Sequence, residues 1–335
     1  MAESGQDATE RAVRYSDVAV LIPCYNEELT VGLVVEGFQR FLPGCRIYVA
    51  DNASKDRTAE VARAAGATVL YEPHKGKGYA VRRLFADVDA ECYILVDGDA
   101  TYDPTIAHRL VEGVLEGGID MVTTVRVTDR DSGSAYRRGH EWGNRALSTV
   151  FKRLFGLSLS DTLTGYRAFS RRFVKSFPGL IRGFEVETEL NAHAATLAVT
   201  SEQVATIYRE RPVGSESKLN TYQDGARILR RLLRLYRDYR PFRSFAFLSA
   251  PFLLATMLLL IPVINDLVET GLVPRFPSLI AAVGSFVIGI NLLTVGAVLE
   301  RSTRARLETT RLSYLNLSSS RRSVDQAAAA ALRSA

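Results

Sequence analysis

Cysteine, histidine and tryptophan are scarce in this chain, at three, four and one among 335 residues. Cys24, Cys45 and Cys92 show no metal-type spacing and sit in apolar contexts, which excludes a cysteine-built metal module and reads as structural thiols in a reducing compartment. His74, His108, His140 and His193 are dispersed without a ligand pattern. No Gly-x-Gly-x-x-Gly follows the first apolar run, so a dinucleotide fold is disfavoured, and the Gly-x-x-x-x-Gly-Lys-Ser/Thr spacing of a Walker loop is absent. The amino terminus stays polar until the run near Val18, so no signal peptide is expected.

Charge is missing from two long stretches, residues 245–264 and 276–299, each long enough to cross a hydrocarbon core as a helix. A pair of buried core helices is the alternative. Pro251, Pro262, Gly284 and Gly289 are compatible with membrane helices, and residues 265–275 read as a short polar connection. Arg237, Arg240 and Arg243 precede the first stretch and Arg301, Arg304 and Arg306 follow the second, so both flanks, and the domain before them, are expected in the cytoplasm. Net charge is +5, and Arg227, Arg230, Arg231, Arg234, Arg237, Arg240 and Arg243 recur among Leu229, Leu232, Leu233, Leu235 and Tyr236. That pattern predicts a basic amphipathic helix on an anionic lipid bilayer rather than a nucleic-acid-binding helix, because it runs directly into an apolar span.

Ahead of these stretches, β-branched runs alternate with helical patterns. Residues 18–23, 46–51, 68–71, 92–97 and 121–126 read as strands, and 29–41, 58–65, 78–85 and 105–115 as helices. The alternation predicts an α/β domain, a mainly parallel sheet with helices on both faces. Ligands gather at the carboxyl ends of such strands. Polar residues collect there: Pro23-Cys24-Tyr25-Asn26-Glu27 after the first, Asp51 after the second and Asp97-Gly98-Asp99 after the fourth. Two carboxylates one residue apart at a strand end offer hard oxygen ligands to Mg²⁺ or Mn²⁺ and leave positions open for phosphate oxygens, the chemistry of a metal-diphosphate site. An Asp-Gly pair also makes a simple turn. Three polar clusters at three strand ends favour the site.

The segments Ile22-Pro23-Cys24-Tyr25-Asn26-Glu27-Glu28, Asp51-Asn52-Ala53-Ser54-Lys55-Asp56, Gly76-Lys77-Gly78 and Asp97-Gly98-Asp99, in that order, resemble the family 2 glycosyltransferases of GT-A fold. Asp161-Thr162-Leu163-Thr164-Gly165-Tyr166-Arg167 and Ser217-Lys218-Leu219 look like the polyprenyl-phosphate branch, the dolichyl-phosphate mannose synthases and bacterial polyprenyl-phosphate glycosyltransferases. The two-span hairpin is similar to that of some bacterial members. The expected organisation is a flexible stretch 1–16, a GT-A domain 17–225, a basic interfacial helix 226–243, two transmembrane helices 244–300 and a basic, Ala-rich cytoplasmic tail 301–335.

The resemblance implies inverting transfer of a hexose from a UDP- or GDP-linked sugar to the phosphate of a polyprenyl lipid. Pro23, Tyr25, Glu27, Val49 and Asp51 match positions that hold the donor base and ribose, and Asp97, Gly98 and Asp99 match the metal-diphosphate loop. Asp97 and Asp99 are the expected metal residues, and Lys77, opening a helix, is placed to meet donor phosphates. Arg126, Arg138, Arg211 and Lys218 are the expected phosphate cradle, with Arg211 and Lys218 one residue further apart than in the dolichyl enzymes. Thr101 stands where many relatives have Gln, and Asn52-Ala53 replace the usual Asp-Gly.

Asp161 matches the position usually assigned as catalytic base. A phosphate monoester with a second pKa of about 6 is already mostly dianionic at neutral pH, so Asp161 is expected to orient the acceptor or balance the arginines. Ordinary alternatives are a surface salt bridge for each basic residue, a cap for Asp161 and an acidic first turn for Glu185, Glu187 and Glu189. Processive synthases of the same fold usually carry Gln-x-x-Arg-Trp and more spans, whereas Trp142 here stands in Glu141-Trp142-Gly143. A catalytically silent nucleotide-sugar-binding scaffold is countered by the intact Asp97, Asp99 and Asp161. Sugar, base, lipid length and oligomeric state, a homo-oligomer included, stay open.

Overall fold

A computed structural model describes residues 15–128, 148–149, 152, 161–179, 186–209 and 236–318. Arg138, Arg211 and Lys218, and most of the expected interfacial helix, lie outside the described residues. The chain divides into two compact units, residues 1–219 with 310–335, and residues 220–309.

In the first unit the apolar run VAVLIPC forms β1 (Val18–Cys24), followed by α1 (Val31–Phe41), β2 (Arg46–Asp51), α2 (Thr58–Ala64), β3 (Thr68–Tyr71), α3 (Lys77–Asp87) and β4 (Cys92–Leu95). Then come α4 (Ala107–Leu115), β5 (Met121–Thr128), β6 (Arg167–Ser170), α5 (Arg171–Ser176), α6 (Val186–Leu197) and β7 (Ser201–Tyr208). The strands make one sheet in the order β3-β2-β1-β4-β6-β5-β7. Pairings β1–β2, β1–β4, β2–β3 and β5–β7 are parallel, while β6 runs antiparallel to both β4 and β5.

Side chains along β1 alternate between the two faces. Val18, Val20 and Ile22 enter one apolar cluster with Val31, Phe38 and Leu110, and Ala19 and Leu21 enter the other with Leu84, Phe85 and Phe169. Burial on both faces is why β1 reads as an unbroken apolar run. The chain leaves β1 for β2 on one side and returns through β4 on the other, so a crevice opens at the carboxyl ends of β1 and β4.

Strand β4 stops at Leu95 rather than Asp97, because the Asp-Gly-Asp segment turns away from the sheet. Strands β6 and β7 and helix α5 carry no sequence signal of the kind read above. The first is four residues with an arginine inside it, and β7 buries only its inward-facing Val204 and Thr206. The end of α8 (Phe276–Leu315), from Thr310, belongs with this unit. Its Tyr314 hydroxyl donates to Asp120 at 2.8 Å, a buried carboxylate that also accepts from Ser170 at 2.7 Å and from Arg172 at 2.5 and 2.7 Å.

The second unit is built from α7 (Pro241–Thr270) and the bulk of α8, running antiparallel, and both helices extend past the charge-free stretches. Both are long and apolar enough to cross a membrane, and only 17% of the apolar window of each is buried, which disfavours the core-helix alternative. Phe247, Met257 and Val268 point outward. Glycine lets the helices approach: a Cβ on Gly289 would meet Leu253, and one on Gly296 would meet Phe242 and Phe245.

His193 on α6 is wedged between the Phe173 and Phe177 rings, with Nε2 3.1 Å from Ser176 Oγ and 3.3 Å from the Phe173 carbonyl. Burial pushes its pKa down to about 4, against a smaller upward pull from that carbonyl. Between about pH 6.5 and 4 the unfolded chain therefore binds the extra proton, and stability falls as pH falls. Over that window the wild-type chain should lose about 3 kcal/mol that a His193→Gln variant does not. Equal slopes in denaturant midpoint against pH would contradict this.

Candidate active site

The loop after β1 is held from its neighbours. Asn26, at φ 53°, donates its amide to Ser54 Oγ at 3.0 Å; the Glu27 amide meets Thr58 Oγ1 at 2.8 Å, and the Glu28 amide meets Asp56 at 3.2 Å. Asp51 is buried at the end of β2 and accepts from the Ser54 amide at 3.1 Å. Asn52 ties three segments together: its amide nitrogen donates to the carbonyls of Glu72 (3.3 Å) and His74 (2.6 Å), and its oxygen accepts from Gly76 N at 2.7 Å. Ala53 follows at φ 56°, a left-handed conformation better suited to the glycine usual there.

Acidic groups crowd the crevice. The Cys24 thiol is pushed far above its ordinary range by burial and then by Glu27, Asp97, Asp51 and Asp99, so all four carboxylates act on one point. Each is restrained. Thr30 donates to the Gly98 carbonyl at 2.7 Å and lies 3.1 Å from Glu27 Oε2, and Asp99 Oδ1 accepts from Thr101 N at 3.2 Å and Thr101 Oγ1 at 2.6 Å. Asp97 pairs with Lys77 at 2.5 Å, and Lys77 also contacts Glu187 of α6. Burial alone would lower the Lys77 pKa, but Asp97 and Glu187 outweigh it and hold the ammonium charged.

Glycine is required at two places in this turn. A Cβ on Gly98 would strike Cys24 Sγ, and one on Gly165 would strike the Asp97 carboxylate. The donors facing the crevice are carboxylate oxygens, and among the described residues no group of three or more His, Cys, Asp or Glu could hold a metal alone. This fits Mg²⁺ or Mn²⁺ completing its shell with diphosphate and water, and does not fit a caged structural ion.

Opposite this turn stands the segment that leads into β6. Asp161 is buried and takes a two-point contact from Arg126 of β5, Nε to Oδ2 at 2.7 Å and Nη2 to Oδ1 at 3.0 Å, while the Leu163 amide donates to Oδ1 at 3.2 Å. Arg126 also lies over the Tyr208 ring at 5.4 Å. Tyr102 joins the two halves: its oxygen accepts from Gly165 N at 2.8 Å, and burial and then Asp97 raise its pKa while Arg126 lowers it.

The segment is braced from beneath by Arg167, which is fully buried. Its guanidinium donates to Thr164 O at 2.9 Å, Thr162 O at 3.0 Å and Asn191 Oδ1 at 2.5 Å, and Asn191 in turn donates to Thr162 O at 2.9 Å. Burial lowers the Arg167 pKa, with Glu187 and Asp161 opposing.

The fold thus gathers the expected acidic residues and joins Arg126 to Asp161. Pro23 pairs in register with Ala50 at the strand ends, and the Tyr25 ring lies 5.3 Å below Lys75 Nζ. Val49 is fully buried in the apolar core and supports the end of β2 from inside. Lys77 faces two carboxylates, and Glu187 is a buried partner rather than only an acidic first turn. Asn52, Tyr102, Arg167 and Asn191 were not singled out as site residues. A lone arginine between Tyr166 and Ala168-Phe169 is the signal that marks one of them.

Residues 19–177 match the family described as Glycosyl transferase family 2. The chain is 35% identical over 221 residues to the glycosyltransferase AglJ of Haloferax volcanii, covering 64% of this chain and 70% of that protein. It is 29% identical over 214 residues to the dolichyl-phosphate hexose transferase of the same organism, covering 64% and 91%. In fold it resembles glucosyl-3-phosphoglycerate synthase of Mycobacterium tuberculosis, crystallised with Mn²⁺, UDP-glucose and phosphoglyceric acid, with a TM-score of 0.52 and 24% identity over 68% of this chain and 83% of that one.

Replacing Arg167 by Met takes the donor from Thr164 O and from Asn191 Oδ1, while Thr162 O keeps the Asn191 amide, at about 1–3 kcal/mol for each unsatisfied group. Arg167→Met should therefore lower stability by about 3 kcal/mol and accelerate hydrogen exchange at the Leu163 and Gly165 amides. Unchanged exchange at those two amides would show that the guanidinium does not brace the segment.

Proposed function

The chain belongs to the family 2 glycosyltransferases, and on that premise we propose that it transfers a hexose, with inversion, from a UDP- or GDP-linked sugar to the phosphate of a polyprenyl lipid. The observation that carries this reading is the acidic turn 97–99 facing the half-buried Arg126 and its buried partner Asp161 across Tyr102 and Gly165. The donor diphosphate needs the divalent ion that the acidic turn would hold, and the acceptor phosphate needs arginine, which Arg126 brings to the opposite side of the crevice. The relative named for dolichyl-phosphate hexose transfer supports the acceptor class.

Pro23, Tyr25, Glu27 and Asp51 line the strand ends where base and ribose sit in this reading. Asp99, with Asp97 beside it, is placed to hold Mg²⁺ or Mn²⁺, which when bound neutralises charge on the departing diphosphate. The structural neighbour crystallised with Mn²⁺ and UDP-glucose supports a divalent ion without choosing between the two metals. Lys77 holds Asp97 and links the turn to α6 through Glu187.

Arg126, together with Arg138, Arg211 and Lys218, receives the acceptor phosphate by charge-assisted hydrogen bonds. Asp161 spends both oxygens on the Arg126 guanidinium, which suits a residue that aims the arginine rather than one that removes a proton. Helices α7 and α8 anchor the enzyme in a bilayer, with arginine-rich flanks on the cytoplasmic side, where the catalytic domain faces the cytosol.

The direct test is a panel of nucleotide-sugars with a short polyprenyl phosphate, read as lipid-linked product. Asp99→Ala should reduce turnover by at least about 100-fold, the scale of losing a main electrostatic stabiliser. Full activity in excess chelator, or near-normal turnover in that variant, rules the metal assignment out.

Asp161 gives a separate test. Because the acceptor is already ionised, Asp161→Asn should slow transfer at every pH and leave the acidic limb of the rate profile in place. Movement of that limb would restore the general-base role.

A further inference from the structure

The arginine-bearing ends of α7 and α8 frame a cavity of about 360 Å³ lined by Arg240, Phe242, Arg243, Ala297, Glu300, Arg301 and Arg304. These residues come from two segments of the second unit far apart in sequence. The cavity exists because the helices close there: the bare Cα of Gly296 admits Phe242 and Phe245, and Thr303 Oγ1 reaches the Asp238 carbonyl at 3.4 Å. Four arginines and one glutamate line it. Glu300 is already engaged, accepting from Phe242 N at 3.4 Å and pairing with Arg304 at 3.5 Å, so the cavity carries a strong positive excess.

The wall itself is mostly apolar, from Phe242, Ala297 and the aliphatic stems of the arginines. A free inorganic anion would leave that wall unused, and an apolar chain alone would leave the guanidiniums unused. The ligand that satisfies both is an amphiphile with a phosphate head. Arg243 stands two residues before the charge-free stretch of α7, and Arg301 two residues after that of α8, which sets the cavity at headgroup depth.

We propose that this cavity binds one membrane phospholipid with an anionic head, its phosphodiester held by Arg240, Arg243, Arg301 and Arg304 and the start of an acyl chain lying on Phe242 and Ala297. The inference rests on the reading of α7 and α8 as membrane spans. A resident phospholipid fits better than the acceptor, because every lining residue belongs to residues 220–309 and none to the domain that carries Asp161 and Asp99.

The test uses the full chain in neutral detergent and native mass spectrometry, with phosphatidylglycerol, phosphatidylcholine, inorganic phosphate and a short polyprenyl phosphate as probes. One phosphatidylglycerol should be retained per chain, at least about tenfold in preference to phosphatidylcholine, and the Arg243→Ala/Arg301→Ala double variant should lose about tenfold or more of that affinity. On the wild-type chain, a photoreactive phosphatidylglycerol should label peptides covering 240–243 and 297–304, which keeps the test independent of how the variant folds.

Equal retention of the two phospholipids, an unaffected double variant or labelling elsewhere overturns the site. So does displacement by inorganic phosphate, which would make it a free-anion site, or by polyprenyl phosphate, which would make it an acceptor entry. Release of the chain from membranes by alkaline carbonate would instead overturn the spanning reading itself.

Discussion

Repulsion among carboxylates at the ends of β1, β2 and β4 is the constraint on which the rest of the catalytic unit depends. Glu27, Asp51, Asp97 and Asp99 all raise the pKa of the same buried thiol, yet each is tethered by a different device. Asp51 takes a backbone amide, Asp99 a threonine, Glu27 lies against Thr30, and Asp97 takes the ammonium of Lys77. Tethering of this kind fixes the oxygens without cancelling their charge. On the proposed reading, a nucleotide-sugar and its divalent ion would meet oxygens already aimed, with little ordering entropy left to lose.

The basic half is built on the opposite logic. Arg126 is half-buried and paired at contact with Asp161, whereas Arg167 is fully buried and, among the described residues, is met by carbonyls and an amide. Arg167 therefore contributes a fixed positive charge beneath the segment whose carboxylate it helps to place. Tyr102 and Gly165 form the seam between the halves. Gly165 lies so close to Asp97 that any larger residue there would push the acidic turn and the Asp161 segment apart.

Much of this was legible in the chain. The five strands β1 to β5 were visible because burial on two faces leaves unbroken β-branched runs, and the polar residues at their ends follow from where such sheets bind ligands. The two long helices were visible because charge is absent from them for many residues. Strands β6 and β7 were not, since the partners that make them strands lie far away in sequence and their own patterns are short or half exposed. Lys77 shows the limit most clearly. Its position at the mouth of a helix suggested phosphate, whereas its actual neighbours, Asp97 and Glu187, arrive from β4 and α6 and carry no local signature.

Strand β6 runs against its neighbours, and this reverses which of its flanks is exposed to chemistry. For β1, β2 and β4 the residues that follow the strand reach the crevice; for β6 it is the residues that precede it, ending at Tyr166. The connection from β5 to β6 therefore leaves the sheet just past Arg126 and comes back at Asp161, two residues that touch each other. The two ends of that connection are therefore clasped to each other by one guanidinium–carboxylate contact, outside the hydrogen bonds of the sheet. Breaking that clasp would part the two ends at the rim while leaving the β4–β6 and β5–β6 pairings beneath it in register.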